Sequence, residues 1–68
     1  MRTFNLVATE HSFSKAAQIL HLTQPAVTQQ IKNLEMEMGE ALFERLGRSL
    51  VLTPAGEALL TLAQPLLN

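Results

Sequence analysis

The fold of this chain is decided by residues 12–35, SFSKAAQILHLTQPAVTQQIKNLE, which predict two short amphipathic helices separated by a tight corner. Ser14 is the predicted cap of a first helix over residues 15–20, and Thr23 is the predicted cap of a second helix that begins at Gln24. Apolar residues of the second helix recur at the spacing of one buried stripe, formed by Val27, Ile31, Leu34 and Met38. Two helices joined in this way form a helix-turn-helix.

The face of the second helix opposite this stripe carries short amides, a hydroxyl and one cation, at positions Gln24, Thr28, Gln29, Lys32 and Asn33. Side chains of these types pair well with base edges and phosphates. The same positions can also form an ordinary solvated face, which is the commoner role of polar residues in small helical proteins. The pattern alone leaves both interpretations open.

The chain has 68 residues, and 47% of them are hydrophobic. A domain of this length buries only about 60% of the surface of its unfolded chain, so we expect a partner chain to cover some of the apolar surface. The sequence contains no cysteine, which excludes disulfides and thiolate zinc sites and fits a reducing cytoplasm. No apolar run approaches the roughly 20 residues that cross a bilayer, and the N-terminal residues do not resemble a signal peptide. We therefore expect a cytoplasmic protein without a membrane partner.

The formal net charge of −1 does not favour DNA binding, because affinity for the phosphate backbone comes largely from cations. The distribution of the charges matters more than their sum. Cations of the helix-turn-helix and of the segment that follows it are Lys15, Lys32, Arg45 and Arg48. Carboxylates cluster near the end of the second helix and just beyond it, at Glu35, Glu37, Glu40 and Glu44. A helix that enters a groove by its first turns would hold these carboxylates away from the phosphates, so we expect a polarised surface.

Elements on both sides of the motif follow from the same kind of pattern. Residues 2–10 predict a helix, and Gly39 suits the left-handed position that closes the second helix of the motif. Residues 42–45 and 49–52 flank a short turn at residues 46–48, which predicts a β-hairpin or extended wing.

A last helix is predicted from Pro54 toward Leu67, with Thr53 as its cap and a kink or an end near Ala63 because Pro65 removes a hydrogen bond. This helix has more apolar residues than a small core can bury. We therefore expect it to pair with its counterpart in a homodimer through Leu59, Leu60, Leu62, Leu66 and Leu67.

The order and spacing of these residues resemble the N-terminal DNA-binding domain of a LysR-type transcriptional regulator. The match spans essentially the whole chain: Phe4, Val7, Ser12-Phe13-Ser14, Ala16-Ala17, Leu20, Gln24-Pro25-Ala26-Val27-Thr28, Gln30-Ile31, Leu34-Glu35, Gly39, Leu42-Phe43, Arg45, Leu52-Thr53 and Ala55-Gly56. The specific parts are the Gln-Pro-Ala-Val run at 24–27, the segment at 42–45, and the Leu-Thr-x-Ala-Gly start of the last helix at 52–56.

The resemblance implies a mainly α fold, a winged helix-turn-helix with a three-helix core and a short β-hairpin wing over residues 1–53. The start of a linker and dimerisation helix follows over residues 54–68. It implies sequence-specific binding of double-stranded DNA as the operator-recognition domain of a bacterial transcription regulator. The family's effector-binding domain is absent from these 68 residues, so a small-molecule effector would act only through that missing domain. Gln29 departs from the family, which often places Arg there, and we expect altered base preference.

Taken with the resemblance, the start of the second helix is expected to read bases through Gln24, Pro25, Thr28 and Gln29. Phosphate contacts are expected from Ser12, Ser14, Lys15, Lys32, Arg45 and Thr53. Arg48 follows Gly47 at the hairpin tip and is expected to reach a minor groove, because a wing extends beyond the body of the domain. Arg45 has an equally good structural alternative, an ion pair with Glu35 or Glu44.

A second class of function is a protein-interaction or dimerisation module that keeps the helix-turn-helix scaffold but does not bind DNA. A DNA titration at two salt concentrations separates the two classes, because only DNA binding is lost steeply with salt. We expect no enzyme activity and no cofactor, because the sequence has no candidate carboxylate pair, Cys–His arrangement or phosphate-binding glycine loop. His11 and His21 lie on different elements without further ligands, so no metal site is expected.

Overall fold

The computed structural model describes residues 2–63, and within them the chain forms four helices and one two-stranded antiparallel hairpin. The elements, in chain order, are α1 (Arg2–Glu10), α2 (Phe13–Leu20), α3 (Gln24–Met38), β1 (Phe43–Leu46), β2 (Ser49–Leu52) and α4 (Pro54–Ala63). The predicted winged helix-turn-helix is therefore confirmed, with α2 and α3 as the motif and the hairpin as the wing.

Helix α2 begins two residues earlier than predicted. Ser12, not Ser14, is the N-cap: its backbone is extended, with φ −160° and ψ 126°, and its Oγ accepts a hydrogen bond of 3.0 Å from the N–H of Lys15. Because Ser12 is the cap, Phe13 becomes the first helical residue and its ring packs edge-on against Phe43, with the centroids 5.9 Å apart. A helix capped at Ser14 would leave Phe13 outside the helix.

Both ends of α3 agree with the prediction. Thr23 is the N-cap, and its Oγ1 accepts a hydrogen bond of 3.3 Å from the N–H of Ala26. Gly39 closes the helix in the left-handed region at φ 74°, and its N–H donates to the carbonyl of Glu35 at 2.8 Å. These caps fix the length of α3 at 15 residues, or about 22 Å.

The core lies where the three N-terminal helices meet the hairpin and the start of α4. Its buried members are Phe4, Val7, Ala16, Ala17, Val27, Ile31, Leu42, Leu50 and Leu59. Of the predicted stripe on α3, Val27 and Ile31 are buried and Leu34 is half-buried, but Met38 is 44% exposed. The prediction that Met38 fills the core is wrong, because the last turn of α3 extends past the packed layer.

The hairpin pairs Phe43 with Leu52 at its base and Leu46 with Ser49 at its tip, and Gly47 turns the chain at φ 63°. Its base is joined to the helices by an aromatic contact, in which the rings of Phe4 and Phe43 lie 5.4 Å apart. The wing is therefore held at its base, while its tip stands out from the body of the domain.

Helix α4 packs into the same core. Thr53 caps it, as predicted, by accepting a hydrogen bond of 3.1 Å from the N–H of Gly56. A Cβ on Gly56 would lie only 2.2 Å from the carbonyl oxygen of Leu42, so this glycine permits a close approach between α4 and the start of the wing.

This packing corrects part of the predicted dimer surface. Leu59 is only 7% exposed and belongs to the core of its own chain, so it is not available to a partner. Leu60 is half-buried against that core, whereas Leu62 is 73% exposed. Leu66 and Leu67 lie outside the described residues, as does Pro65.

Candidate nucleic-acid interface

A polar cleft of about 180 Å³ lies where the start of α2, the start of α3 and the wing meet. Its walls are formed by His11, Ser12, Phe13, Ser14, Gln24, Arg45, Arg48 and Leu50. Five of the predicted interface residues are therefore brought together from three separate elements: Ser12, Ser14, Gln24, Arg45 and Arg48.

The helical side of the cleft offers hydrogen-bond donors. Because the Ser12 hydroxyl accepts from the N–H of Lys15, its own proton is left for an outside acceptor. Ser14 is exposed in the first turn of α2, where backbone N–H groups point outward and the helix dipole favours an anion. This end of the cleft is chemically suited to a phosphate oxygen.

The wing side of the cleft offers two guanidinium groups. The Cζ of Arg45 lies 5.9 Å from the centroid of the Phe13 ring, which holds the cation over an aromatic face. Arg48 is exposed beside the turn at Gly47.

Glu35, one of the two predicted alternative partners of Arg45, binds backbone N–H groups. Oε2 of Glu35 accepts hydrogen bonds from the N–H groups of Leu42, at 2.8 Å, and Phe43, at 3.4 Å. Glu35 therefore holds the start of the wing against α3.

Two side-chain pairs, each four residues apart, order the exposed face of α3. Nε2 of Gln24 donates to Oγ1 of Thr28 at 3.0 Å, and Nε2 of Gln29 donates to Oδ1 of Asn33 at 2.9 Å. In each glutamine one amide hydrogen is used, while Oε1 and the second amide hydrogen are left. A glutamine uses these two groups, one acceptor and one donor, to bind N6 and N7 of an adenine at the same time. Pro25 is exposed on the same first turn.

Three predicted phosphate residues are not in the cleft. Lys15 is exposed one position beyond Ser14. Lys32 lies about 12 Å along α3 from Gln24 and borders a shallow depression that includes Glu35 and Glu40.

Thr53 is occupied by the fold. Its hydroxyl donates to the carbonyl of Ala41 at 2.7 Å and accepts from the N–H of Gly56 at 3.1 Å. Its only hydroxyl proton is therefore already used.

The sequence did not place His11 in the interface, but this residue lines the cleft, and its ring contacts the wing. The available signal was its position directly before the serine that caps α2. Residues 2–63 contain no group of three His, Cys, Asp or Glu residues arranged to hold a metal ion. No helix among the described residues is long and apolar enough to span a membrane.

The fold and the cleft together define a winged helix-turn-helix domain of the DNA-binding class. The sequence profile described as "Bacterial regulatory helix-turn-helix protein, lysR family" matches residues 1–57. The chain belongs to that family.

Similar proteins agree with this assignment. A RuBisCO operon transcriptional regulator from Allochromatium vinosum is 54% identical over 56 residues, which cover 82% of this chain and 18% of that protein. The HTH-type transcriptional regulator CfxR from Cupriavidus necator is 49% identical over the whole chain, which covers 22% of CfxR. The chain thus spans about a fifth of the length of these two regulators.

A solved structure gives the same fold. In the crystal structure of the BenM DNA-binding domain in complex with catB site 1 DNA, the protein is 44% identical to this chain and superposes with a TM-score of 0.88. The match covers 97% of this chain and 73% of that one.

Proposed function

We propose that the chain binds operator DNA by placing the start of α3 in the major groove and the wing beside the adjacent minor groove. The single observation that carries this proposal is the polar cleft, in which the capped start of α2, Gln24 of α3 and two wing arginines converge. A surface that binds the backbone of one DNA strand is expected to bring hydrogen-bond donors from several elements to one small site.

Base readout is assigned to Gln24, Thr28 and Gln29, with Pro25 in contact at the same turn. Residues at the start of a recognition helix enter the major groove most deeply. The hydrogen bonds from Gln24 to Thr28 and from Gln29 to Asn33 orient the two amides before DNA arrives. Asn33 is thereby added to the predicted set as a residue that positions Gln29.

Phosphate binding is assigned to Ser12, Ser14, Lys15 and Arg45, and Arg48 on the wing is assigned to the edge of the adjacent minor groove. The remaining two predicted phosphate residues are supported less well. Lys32 borders a depression that contains carboxylates, and the Thr53 hydroxyl proton is used within the chain. We assign Thr53 to the fold and keep Lys32 as an outlying contact.

Residues 1–53 are proposed as the DNA-binding unit and residues 54–68 as the start of a linker helix, although the first turns of α4 also serve the core. A small-molecule effector would act through a region outside these 68 residues. The relatives are named as transcription regulators and not as enzymes, and the chain is proposed to act in the bacterial cytoplasm, where the operator DNA is.

A homodimer is proposed to form through α4, with Leu62 at its centre, because this leucine is 73% exposed on a helix whose other side faces the core. Leu62→Glu should turn the dimer into a monomer in sedimentation at high micromolar concentration. Met36→Glu is the matched control, because Met36 is 76% exposed on α3 and should leave the dimer intact. A parent chain that sediments as a monomer at that concentration would contradict the dimer.

The function is tested by titrating the chain with double-stranded DNA at two salt concentrations. The three cations at or beside the cleft, Lys15, Arg45 and Arg48, give a slope of about −2.7 in log affinity against log salt for each protomer, or a loss of about 40-fold between roughly 50 and 200 mM salt; a contact from the outlying Lys32 steepens the slope by about 0.9. Absence of binding at both concentrations would instead support the protein-interaction module.

A further inference from the structure

His11 occupies an unusual backbone position at the end of α1. Its φ is 55°, in the left-handed region that few residues other than glycine adopt, and its N–H donates to the carbonyl of Val7 at 2.8 Å. The next residue is Ser12, which caps α2. The corner between α1 and α2 therefore aims the imidazole toward the wing.

The hydrogen bond between His11 and the wing defines the tautomer of the ring. Nδ1 lies 3.2 Å from the carbonyl oxygen of Leu50 on β2. A carbonyl oxygen only accepts, so Nδ1 carries the hydrogen. In the neutral ring Nε2 is then a bare acceptor, whereas in the charged ring Nε2 carries a hydrogen and donates.

The surroundings of His11 favour an anion. Among the residues that share its cleft, the hairpin contributes Arg45 and Arg48, and α3 contributes the uncharged Gln24. The neighbouring charged groups on the helices are Glu10, directly before His11 on α1, and Lys15 in the first turn of α2. Cations thus outnumber carboxylates around the ring. The negative charge of a phosphate in the cleft would offset this excess of positive charge.

We propose that His11 is a phosphate-binding residue of the DNA interface that binds in its charged form, so that DNA binding takes up a proton. This inference rests on the proposed function, because it places a DNA phosphate in the cleft. The neutral ring would direct the Nε2 lone pair at a phosphate oxygen and repel it. The charged ring donates from Nδ1 to Leu50 and from Nε2 to the phosphate, and so ties the DNA to both α1 and the wing.

The sign of the pH effect follows from this linkage. Binding in the charged form means that the bound state favours the protonated ring. Affinity for DNA therefore rises as the pH falls. The limit for one linked proton is about tenfold in affinity per pH unit and per protomer.

The test compares the parent chain with His11→Asn and His21→Asn. Asparagine tolerates the left-handed region and does not titrate. His21 is a matched control, because it also has a left-handed backbone, with φ 58°, and closes α2 as His11 follows α1, but it does not line the cleft. DNA affinity is measured from pH 6 to pH 8, and proton uptake is measured by calorimetry in two buffers of different ionisation enthalpy.

The parent and His21→Asn should take up a proton and bind several-fold more tightly at pH 6 than at pH 8, and His11→Asn should lose both effects. His11→Arg, which keeps a permanent charge, should bind at pH 8 about as tightly as the parent at pH 6. A His11→Asn variant that keeps the pH dependence of the parent, or a parent whose binding does not change with pH, overturns the inference. Failure of the parent to bind DNA at any pH overturns the proposed function itself.

Discussion

The two ends of α3 differ in chemistry although one continuous helix carries both. The first end carries uncharged donors and acceptors, the exposed Gln24 and Gln29 and the half-buried Thr28, beside a cleft lined by two arginines. The second end carries Glu35 and Glu37, and it borders a mostly apolar groove of about 740 Å³ between α1 and α3. About 20 Å of helix separates the two ends.

This difference explains how a chain with a net charge of −1 can approach DNA. Repulsion from Glu37, which lies about 20 Å along α3 from Gln24, is largely screened at physiological salt, where the Debye length is about 8 Å. The second end is thus free to use a carboxylate for structure: Glu35 accepts from the backbone of the wing. Substitutions at the second end and in its packing should change stability, whereas substitutions at the first end should change DNA binding.

The largest expected effect is a loss of stability in Gly56→Ala, because Gly56 lies where α4 meets the start of the wing. The new Cβ would lie 2.2 Å from the backbone oxygen of Leu42 and 2.8 Å from Cδ2 of Leu52, so α4 must move. We expect the free energy of unfolding to fall by about 3 kcal/mol. Chemical denaturation measures the change.

Gly39→Ala is the control, because a Cβ there meets nothing within 4 Å and only the backbone at φ 74° is strained. Its expected cost is about 1 kcal/mol. If Gly56→Ala and Gly39→Ala were equally stable, α4 would not approach the start of the wing as closely as the structure describes.

Glu35→Ala should lower the free energy of unfolding by about 1–3 kcal/mol, because the N–H of Leu42 loses its acceptor in a partly buried place. DNA preference should stay the same once the folded fraction is taken into account. Glu37→Ala, at an exposed position on the same end, should change stability by no more than about 0.5 kcal/mol. A selective change in DNA sequence preference for Glu35→Ala would show that the two ends are not separate.

The smallest expected effect is that of Arg48→Ala. One lost phosphate or minor-groove contact should flatten the salt slope by about 0.9 per protomer, mainly at sites with a narrow, A·T-rich flank. Arg2→Ala removes an equal charge at the start of α1, beside the apolar groove, and should leave the slope unchanged. If Arg48→Ala and Arg2→Ala flattened the salt slope equally, DNA binding would depend only on the net charge of the chain.

The sequence was sufficient for the elements whose ends are set locally. Thr23, Gly39 and Thr53 act on backbone groups within a few residues, so their roles as caps could be predicted. Ser12 and Ser14 compete for the same cap, and the choice depends on the packing of Phe13 against Phe43, which is 30 positions away. A local pattern contains no information about such a contact.

The exposure of the residues in the proposed DNA interface could be predicted from the sequence only in part. Exposed polar positions on α3 follow from helical periodicity, whereas Leu59 and His11 depend on tertiary contacts. Periodicity shows that α4 has too many leucines for one face, but it does not show that Leu59 is covered by its own chain. The role proposed for His11 depends on the carbonyl of Leu50, which reaches its ring only after the wing has folded back.

Binding-site selection from random duplex DNA tests the central claim, that the first end of α3 reads the bases. The parent, Gln24→Ala and Gln29→Ala chains are selected in parallel, with Glu37→Ala as the control from the second end. The two glutamine variants should each lose preference at one or two positions per half-site, mirrored about the centre of the site, which corresponds to roughly 1–3 kcal/mol of discrimination. Glu37→Ala should select the parent sequence. If all four chains select the same sequence, the readout lies elsewhere and the assignment is contradicted.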